Sequence, residues 1–199
     1  MLKQLFSFIS IFLFATIVNA QLLDSLSLEE KYEYTSLEEA LKNPKDVYKL
    51  NLKRKKIIDL PKEIYQLSNL QILILRNNKI TDIPISINKL VNLQYLDLSR
   101  NKIKEVPAEM FDLINLKSLS LSQNEIEFLP KEISKLENLE YLDLWGNQIC
   151  EFPEIISVLS GTLKVLDMRV ILMNQEKQNN ITDLLPYTKI FFSSSCNCQ

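Results

Sequence analysis

Five segments of the chain repeat one apolar pattern at a fixed interval of 23 residues. They begin at Val47, Leu70, Leu93, Leu116 and Leu139. A sixth, degraded copy begins at Leu163, one residue later than the interval predicts. A period of this length indicates a solenoid, because one repeat cannot bury its own apolar face and must stack on its neighbours. Such a stack offers a ladder-like surface for holding another molecule and no obvious catalytic pocket.

Each repeat predicts one short strand and one return limb. In the copy that spans residues 93–115, Leu96 and Leu98 are two positions apart, so a strand would direct both to one face. Pro107 cannot donate to a β-ladder, so the chain must leave the strand before it. Met110 and Leu113 then lie three residues apart, a spacing that favours a helical or 3₁₀ limb. Stacked coils of this kind form a parallel sheet.

The pattern LxxLxLxxNxIxxLPxxIxxLxN resembles the leucine-rich repeat family in its 23-residue form, over residues 47–173. The resemblance implies an α/β solenoid with a curved parallel β-sheet on the concave face and short helical or 3₁₀ limbs on the convex face. It also implies that the repeat asparagine turns inward and bonds backbone groups of adjacent coils. Asn77, just before one such asparagine, should be exposed, and its replacement by alanine should cost little. The ladder asparagines would be Asn78, Asn101, Asn124 and Asn147.

Residues 1–20 are typical of a secretory signal peptide. Lys3 precedes an uncharged stretch from residue 5 to residue 18, and Val18-Asn19-Ala20 is a small-x-small cleavage signal. The alternative is an uncleaved anchor, but a bilayer span needs roughly 20 apolar residues. We therefore expect a secreted or periplasmic protein of bacterial type, with no membrane insertion after signal cleavage.

Two caps are expected around the repeats at 47–173. In the N-terminal cap, residues 21–46, Ser36 and Glu39 fit a capping box at the start of a short helix. In the C-terminal cap, residues 174–199, a helix from Asn180 to Leu185 with Thr182 as its cap should precede a strand over 189–193. We expect Phe191 and Phe192 to pack in the core or at the sheet edge.

Cys150, Cys196 and Cys198 make an odd count, so an exported chain would keep an unpaired thiol or form an intermolecular link. If the tail added a strand in register, Cys198 would lie two coils from Cys150. Two strand spacings are about 9.5 Å, whereas a disulfide requires Cα atoms within roughly 7 Å. A disulfide from Cys150 to the tail therefore requires the tail to fold back. Three thiols without histidine are a poor zinc set, and we expect no metal.

The composition argues against several functions. The chain contains no histidine and only two glycines, so neither a Ser-His-Asp triad nor a glycine-rich phosphate loop can form. We expect no catalytic residues, no enzyme activity and no cofactor. The formal net charge of −2 and the export signal argue against nucleic acid as a partner.

The remaining candidate for a functional site is the concave face, where each coil should offer three outward residues. Ser99 and Ser122 would be the third outward residues of their coils. Aromatic and arginine side chains that cannot point inward are candidate anchors for a protein partner. The alternative is that the aspartates aid solubility and strand pairing, and that Trp145 lies flat on its neighbour. The second candidate function is binding of an envelope polysaccharide, whose sugar rings would stack on Tyr95, Tyr141 and Trp145. A hydrolase is the third candidate. The predicted partner-binding residues are Tyr95, Asp97, Tyr141, Asp143, Trp145 and Arg169.

Overall fold

A computed structural model describes residues 22–194, so the predicted signal peptide lies outside the described residues. The described chain forms one sheet of eight parallel strands, each beside the strands that precede and follow it in the sequence. The predicted α/β solenoid is thereby confirmed. Its strands are β1 (Glu33–Tyr34), β2 (Lys49–Asn51), β3 (Ile72–Ile74), β4 (Tyr95–Asp97), β5 (Ser118–Ser120), β6 (Tyr141–Asp143), β7 (Val165–Met168) and β8 (Lys189–Phe192).

The repeat leucines fill the interior of the coils. The central leucines of β2 to β7 are at most 2% exposed, and the apolar residues of the return limbs pack against them. Each repeat proline stands immediately before a 3₁₀ turn, because its fixed φ suits the first turn and its missing N–H is not needed there. The turns are Lys62–Gln66, Ile85–Lys89, Ala108–Asp112, Lys131–Lys135 and Glu154–Gly161.

A column of buried asparagines connects successive coils. The Nδ2 of Asn101 donates to the carbonyls of Leu98 (2.8 Å) in its own coil and Leu75 (3.2 Å) in the preceding one. Its Oδ1 accepts from the Ile80 amide at 3.1 Å. One side chain therefore satisfies backbone groups that would otherwise be buried without partners. Equivalent bonds are made by Asn78, Asn124 and Asn147.

The residue before each ladder position adopts a left-handed backbone conformation. Asn77 is exposed, as expected, but its φ is +58°. Alanine at this position would be strained by about 1 kcal/mol, so we expect a larger cost than exposure alone suggested. The left-handed residues that precede the ladder positions are Arg54, Asn77, Arg100, Gln123, Gly146 and Val170.

The N-terminal end of the stack contains more structure than the sequence indicated. Helix α2 (Leu37–Ala40) begins where Ser36 Oγ accepts from the Glu39 amide, and it buries Ala40 against the first coil. Before it come helix α1 (Ser25–Glu29) and the two-residue strand β1, which pairs with β2. Neither α1 nor β1 was predicted, because five residues and two residues are too few to show periodicity.

At the C-terminal end the predicted helix boundary is wrong. Helix α3 spans Gln175–Leu184, and its N-cap is Asn174, whose side chain accepts from the Lys177 amide. Thr182 lies inside the helix and donates to the Gln178 carbonyl. The polar run from 174 to 180 concealed the first turns, since only Ile181 and Gln178 of α3 are buried. Strand β8 then pairs with β7.

Candidate functional site

The sheet has one face toward the core and one face toward solvent. On β2 to β7 the central leucine is buried in the coil, and on β8 Ile190 is partly buried. The residues on either side of it on the strand lie on the opposite side, which we name the outer face. The strand pairing aligns these neighbours in two rows across the sheet. From β2 to β8 the first row is Lys49, Ile72, Tyr95, Ser118, Tyr141, Val165 and Lys189, and the second row is Asn51, Ile74, Asp97, Ser120, Asp143, Asp167 and Phe191.

The prediction of three outward residues per coil is wrong for the two coils that contain β4 and β5. Ser99 is fully buried, and Ser122 is 3% exposed. Ser99 Oγ donates to Asp97 and accepts from the Arg76 guanidinium, while Ser122 contacts Ser120. Their small side chains fold into polar contacts at the strand ends and offer no surface to a partner.

Tyr95 and Tyr141 flank a gap whose floor is serine. Ser118 lies between them in the first row, so the two tyrosines are two strand spacings, about 9.5 Å, apart. Tyr141 is 48% exposed, whereas Tyr95 is half-buried. A depression of about 370 Å³ lies over β3 to β5 and is lined in part by Tyr95, Asp97, Ser118 and Ser120. The row therefore combines ring surface with hydroxyl groups.

The environment of Tyr95 is acidic. Burial raises the pKa of its phenol, and the nearby Glu140, Tyr141 and Glu29 raise the pKa further. The phenol therefore stays protonated at neutral pH and can donate a hydrogen bond to a partner. Glu29 belongs to α1, which shows that the N-terminal segment reaches the neighbourhood of this row.

The aspartates of the second row accept hydrogen bonds from the backbone at the strand ends. Asp97, Asp143 and Asp167 each accept, through Oδ1, from the amide two residues later, at 2.9, 3.1 and 3.1 Å. This is an Asx-turn, which stabilises a change of chain direction. Asp143 Oδ2 also accepts from Ser120 at 2.9 Å. These carboxylates hold the backbone and at the same time give the outer face its negative charge.

Arg169 is bound within the chain. Its guanidinium donates to both carboxylate oxygens of Asp167 and lies 5.6 Å from the centre of the Phe191 ring. Burial alone would raise the pKa of Asp167, but the hydrogen bonds from Arg169 outweigh it, and the pKa lies below its ordinary value. Phe191 lies on the outer face beside Lys189, whereas Phe192 packs on the core.

Trp145 follows β6 and is half-buried. Leu144 before it is fully buried, so the alternation directs the indole away from the coil interior. Its amide donates to Asp143 and its carbonyl accepts from the Gln123 amide. The backbone of Trp145 is thus held on both sides, which leaves the ring on a rigid support.

Sequence reasoning missed a segment that crosses the strand starts, residues 22–31, which we name the N-terminal strap. The amide of Leu23 donates to Gln71 Oε1 at 2.9 Å, and Gln94 Nε2 donates to the carbonyl of Leu23 at 2.8 Å. Further along, Lys49 Nζ donates to the Glu29 carbonyl. The recurrence of glutamine at one repeat position, 71 and 94, was the available signal.

Cys150 is exposed, and α3 brings it toward the tail. Lys177 Nζ donates to the Cys150 carbonyl at 2.9 Å, and the adjacent Gln178 donates to the Ser193 carbonyl at 3.4 Å. Cys196 and Cys198 lie outside the described residues, and the Cys150-to-tail disulfide stays a prediction.

A thiol titration of the mature protein, unfolded without reductant, should give one free thiol, since the predicted disulfide uses two of the three cysteines. The reduced sample should give three. In Cys150→Ser, two free thiols are expected if the tail cysteines do not pair with each other. Three free thiols in the unreduced native sequence would exclude the disulfide.

Within residues 22–194, no helix is long and apolar enough to cross a membrane. Over the same residues, no group of three or more cysteine, aspartate or glutamate side chains is arranged to hold a metal ion.

Two family models match the chain. One, described as leucine rich repeat, covers residues 91–149. The other, described as leucine rich repeats in two copies, covers residues 68–109. No curated protein matches the chain significantly.

Several solved structures share the fold. A leucine-rich-repeat protein of Leptospira interrogans is 31% identical, with 83% of this chain and 49% of that chain covered and a TM-score of 0.65. The ectodomain of the plant membrane receptor kinase GASSHO1/SCHENGEN3 from Arabidopsis thaliana, in complex with CASPARIAN STRIP INTEGRITY FACTOR 2, is 29% identical, with 72% and 18% covered and a TM-score of 0.62. An internalin from Listeria monocytogenes is 21% identical, with 82% and 53% covered and a TM-score of 0.63, and supports the fold alone. The chain spans about half the length of the two bacterial proteins and under a fifth of the plant ectodomain.

Proposed function

Because the chain belongs to the leucine-rich repeat family, whose fold is a scaffold for protein interactions, we propose that it is an exported protein that holds a protein partner against its outer face. The observation that carries this proposal is the row in which Tyr95 and Tyr141 flank Ser118. Large rings beside small hydroxyl residues provide contact area and a recess in one place. The plant ectodomain, solved with a bound factor, supports the same use of the fold.

The proposed contact centre is Tyr141 with Trp145. Tyr141 is the most exposed of the aromatic candidates, and the backbone of Trp145 is held by Asp143 and Gln123. Rigid aromatic side chains lose little entropy on binding, which makes them effective anchors. Asp97 and Asp143 add negative charge, so we propose a partner surface that is basic opposite β4 to β6. Arg169 borders this surface as a member of its ion pair with Asp167.

A polysaccharide of the cell envelope is the second candidate, because the aromatic rings lie among serine hydroxyls and aspartate carboxylates. Rings stack on the apolar faces of sugars, and the polar groups would bond their hydroxyls. We propose no catalytic role for the face. Asp97 and Asp143 lie two strands apart, and each is bonded to the backbone at its strand end.

Export is the second part of the proposal. It is supported by Lys3, the uncharged stretch and the cleavage signal at Val18-Asn19-Ala20. The mass of the protein collected from envelope or culture fluid should correspond to a chain that starts at Gln21. Recovery of the full-length chain from the membrane fraction would contradict the cleavage, and would favour an anchored form.

Affinity capture tests the function and separates its two candidates. The mature chain, immobilised through an added C-terminal tag, should retain a protein from native envelope or culture fluid. The same chain should bind no carbohydrate on an array of envelope glycans. Glycan binding without protein capture would instead support a polysaccharide as the ligand. Failure of both would reject the outer face as a binding site.

A further inference from the structure

The N-terminal strap is held by a pair of glutamine side chains that bind its backbone. Gln71 accepts the Leu23 amide, and Gln94 donates to the Leu23 carbonyl. Gln94 Nε2 also donates to Gln71 Oε1 at 2.7 Å, which fixes the two amides relative to each other. Because one N–H and one C=O of the same residue are bound, this recognition depends on an extended backbone and not on a particular side chain.

The strap covers the starts of strands β3 and β4, and the surface that it covers does not extend past the start of β5. Gln71 and Gln94 are fully buried. At the same repeat position, Lys117 and Glu140 are half-buried, and Lys164 is exposed. Lys117 contributes to lowering the pKa of Asp24, after the larger effect of hydrogen bonds from Ser27, so Asp24 lies near the start of β5.

Leu28 provides the apolar anchor of the strap. It is 1% exposed, yet it does not belong to the apolar cluster that fills the coils. Its neighbour Glu29 is held by Lys49, a member of the first row of the outer face. We infer that Leu28 packs on the outer face. Leu26, two residues earlier in α1, is 74% exposed.

In the described part of the chain, the strap leaves one buried polar atom of this site without a hydrogen-bond partner. Gln94 Oε1 is buried and has no hydrogen-bond partner among the described residues. A buried acceptor without a donor weakens the bound state. A peptide that supplied one more N–H at this position would bind better than the strap does.

We propose that the Gln71–Gln94 pair and the adjoining outer face form a binding track for a peptide whose first residues are extended and whose leucine lies on the short helix that follows. The strap occupies this track in cis, and a partner segment of the same form displaces it. The inference rests on the proposed function for the protein nature of the partner. It adds the partner's form, an extended start followed by a helical turn that carries a leucine, and a means of regulation. Displacement of the strap would uncover the outer face from β2 to β4 and free Tyr95 from its acidic neighbour Glu29.

The test uses the full mature chain and a fluorescein-labelled peptide with the sequence of residues 22–31, LLDSLSLEEK. Leu28→Asp should release the strap, because a carboxylate cannot remain in an apolar contact. Hydrogen exchange at the Leu23 amide should become at least about tenfold faster, while the Leu119 amide in β5 keeps its protection. By fluorescence anisotropy, the peptide should bind Leu28→Asp at least about tenfold more tightly than the unaltered chain, whose own strap competes.

Two further variants make the outcome decisive. Leu26→Asp is the matched control, since this exposed leucine lies in the same helix, and it should change neither exchange nor peptide binding. Leu28→Asp combined with Gln71→Leu and Gln94→Leu should lose peptide binding while the Leu119 amide stays protected. Unchanged exchange at Leu23 in Leu28→Asp, or peptide binding that survives loss of both glutamines, would overturn the proposal. Capture of the partner through Tyr141 and Trp145 is measured separately, so its failure would affect the proposed function without deciding whether the strap is displaceable.

Discussion

Replacing Asn101 with alanine should lower the free energy of unfolding by about 3 kcal/mol, because several buried backbone groups lose their partner at once. The Asn101 side chain bonds the carbonyls of Leu75 and Leu98 and the amide of Ile80, and it is only 9% exposed. Water cannot replace these bonds without entering the gap between two coils. Urea denaturation followed by circular dichroism should show a lower midpoint with a similar slope.

Lys102→Ala is the matched control for Asn101. Lys102 follows Asn101 in the same turn and is exposed, so its replacement should change stability by no more than about 0.5 kcal/mol. Asn77→Ala should fall between the two variants, because its cost arises from a left-handed backbone and not from a lost ladder bond. If Asn101→Ala and Lys102→Ala shifted the midpoint equally, the ladder would contribute nothing measurable to the stack.

The double change Tyr141→Ala and Trp145→Ala should weaken capture of the partner by about 2 kcal/mol, which is roughly thirtyfold in affinity. Both side chains belong to the proposed contact centre, and neither belongs to the apolar cluster in the coils. Surface plasmon resonance with the captured protein would measure the change. The far-UV spectrum and the unfolding midpoint should stay close to those of the unaltered chain.

A control pair on the opposite side of the coils separates loss of binding from general damage. Phe128 is 63% exposed, and Lys131 is exposed at the start of a return limb. Phe128→Ala with Lys131→Ala should leave capture unchanged. Lys135 is unsuitable, because it bonds Asp112 at 2.7 Å. Loss of capture in the control pair alone would place the partner on the return limbs and reject the outer face.

The coil architecture was predictable because the repeat pattern itself indicates which residues face inward and where each strand ends. Leu96 and Leu98 alternate with Tyr95 and Asp97, and the position of Pro107 marks the exit from the strand. Five copies of one pattern also reveal which positions are inward, since the inward residues stay apolar while the others vary. The end elements were harder. They occur once each, and α3 presents a polar sequence with few buried residues.

The candidate site was predictable in position and not in detail. The alternation along β4 and β6 identified Tyr95 and Tyr141 as outward residues. It did not show that Ser99 and Ser122 are buried by side-chain hydrogen bonds, or that Asp167 binds Arg169. Those contacts depend on side-chain rotamers and on neighbours that are 23 residues away or in the turn at the strand end.

The sequence by itself determined the stack, because a fixed period with constant leucines permits only a repeated coil whose apolar side is shared with the next one. It did not determine the backbone before each ladder position. Of the residues that adopt the left-handed conformation there, only Asn77 and Gly146 are types that favour it. The coil structure imposes it on Arg54, Arg100, Gln123 and Val170. The course of the N-terminal strap was also decided only in the tertiary structure. A non-periodic segment of ten residues has no preferred path until Gln71, Gln94 and Lys49 are brought together by three different coils.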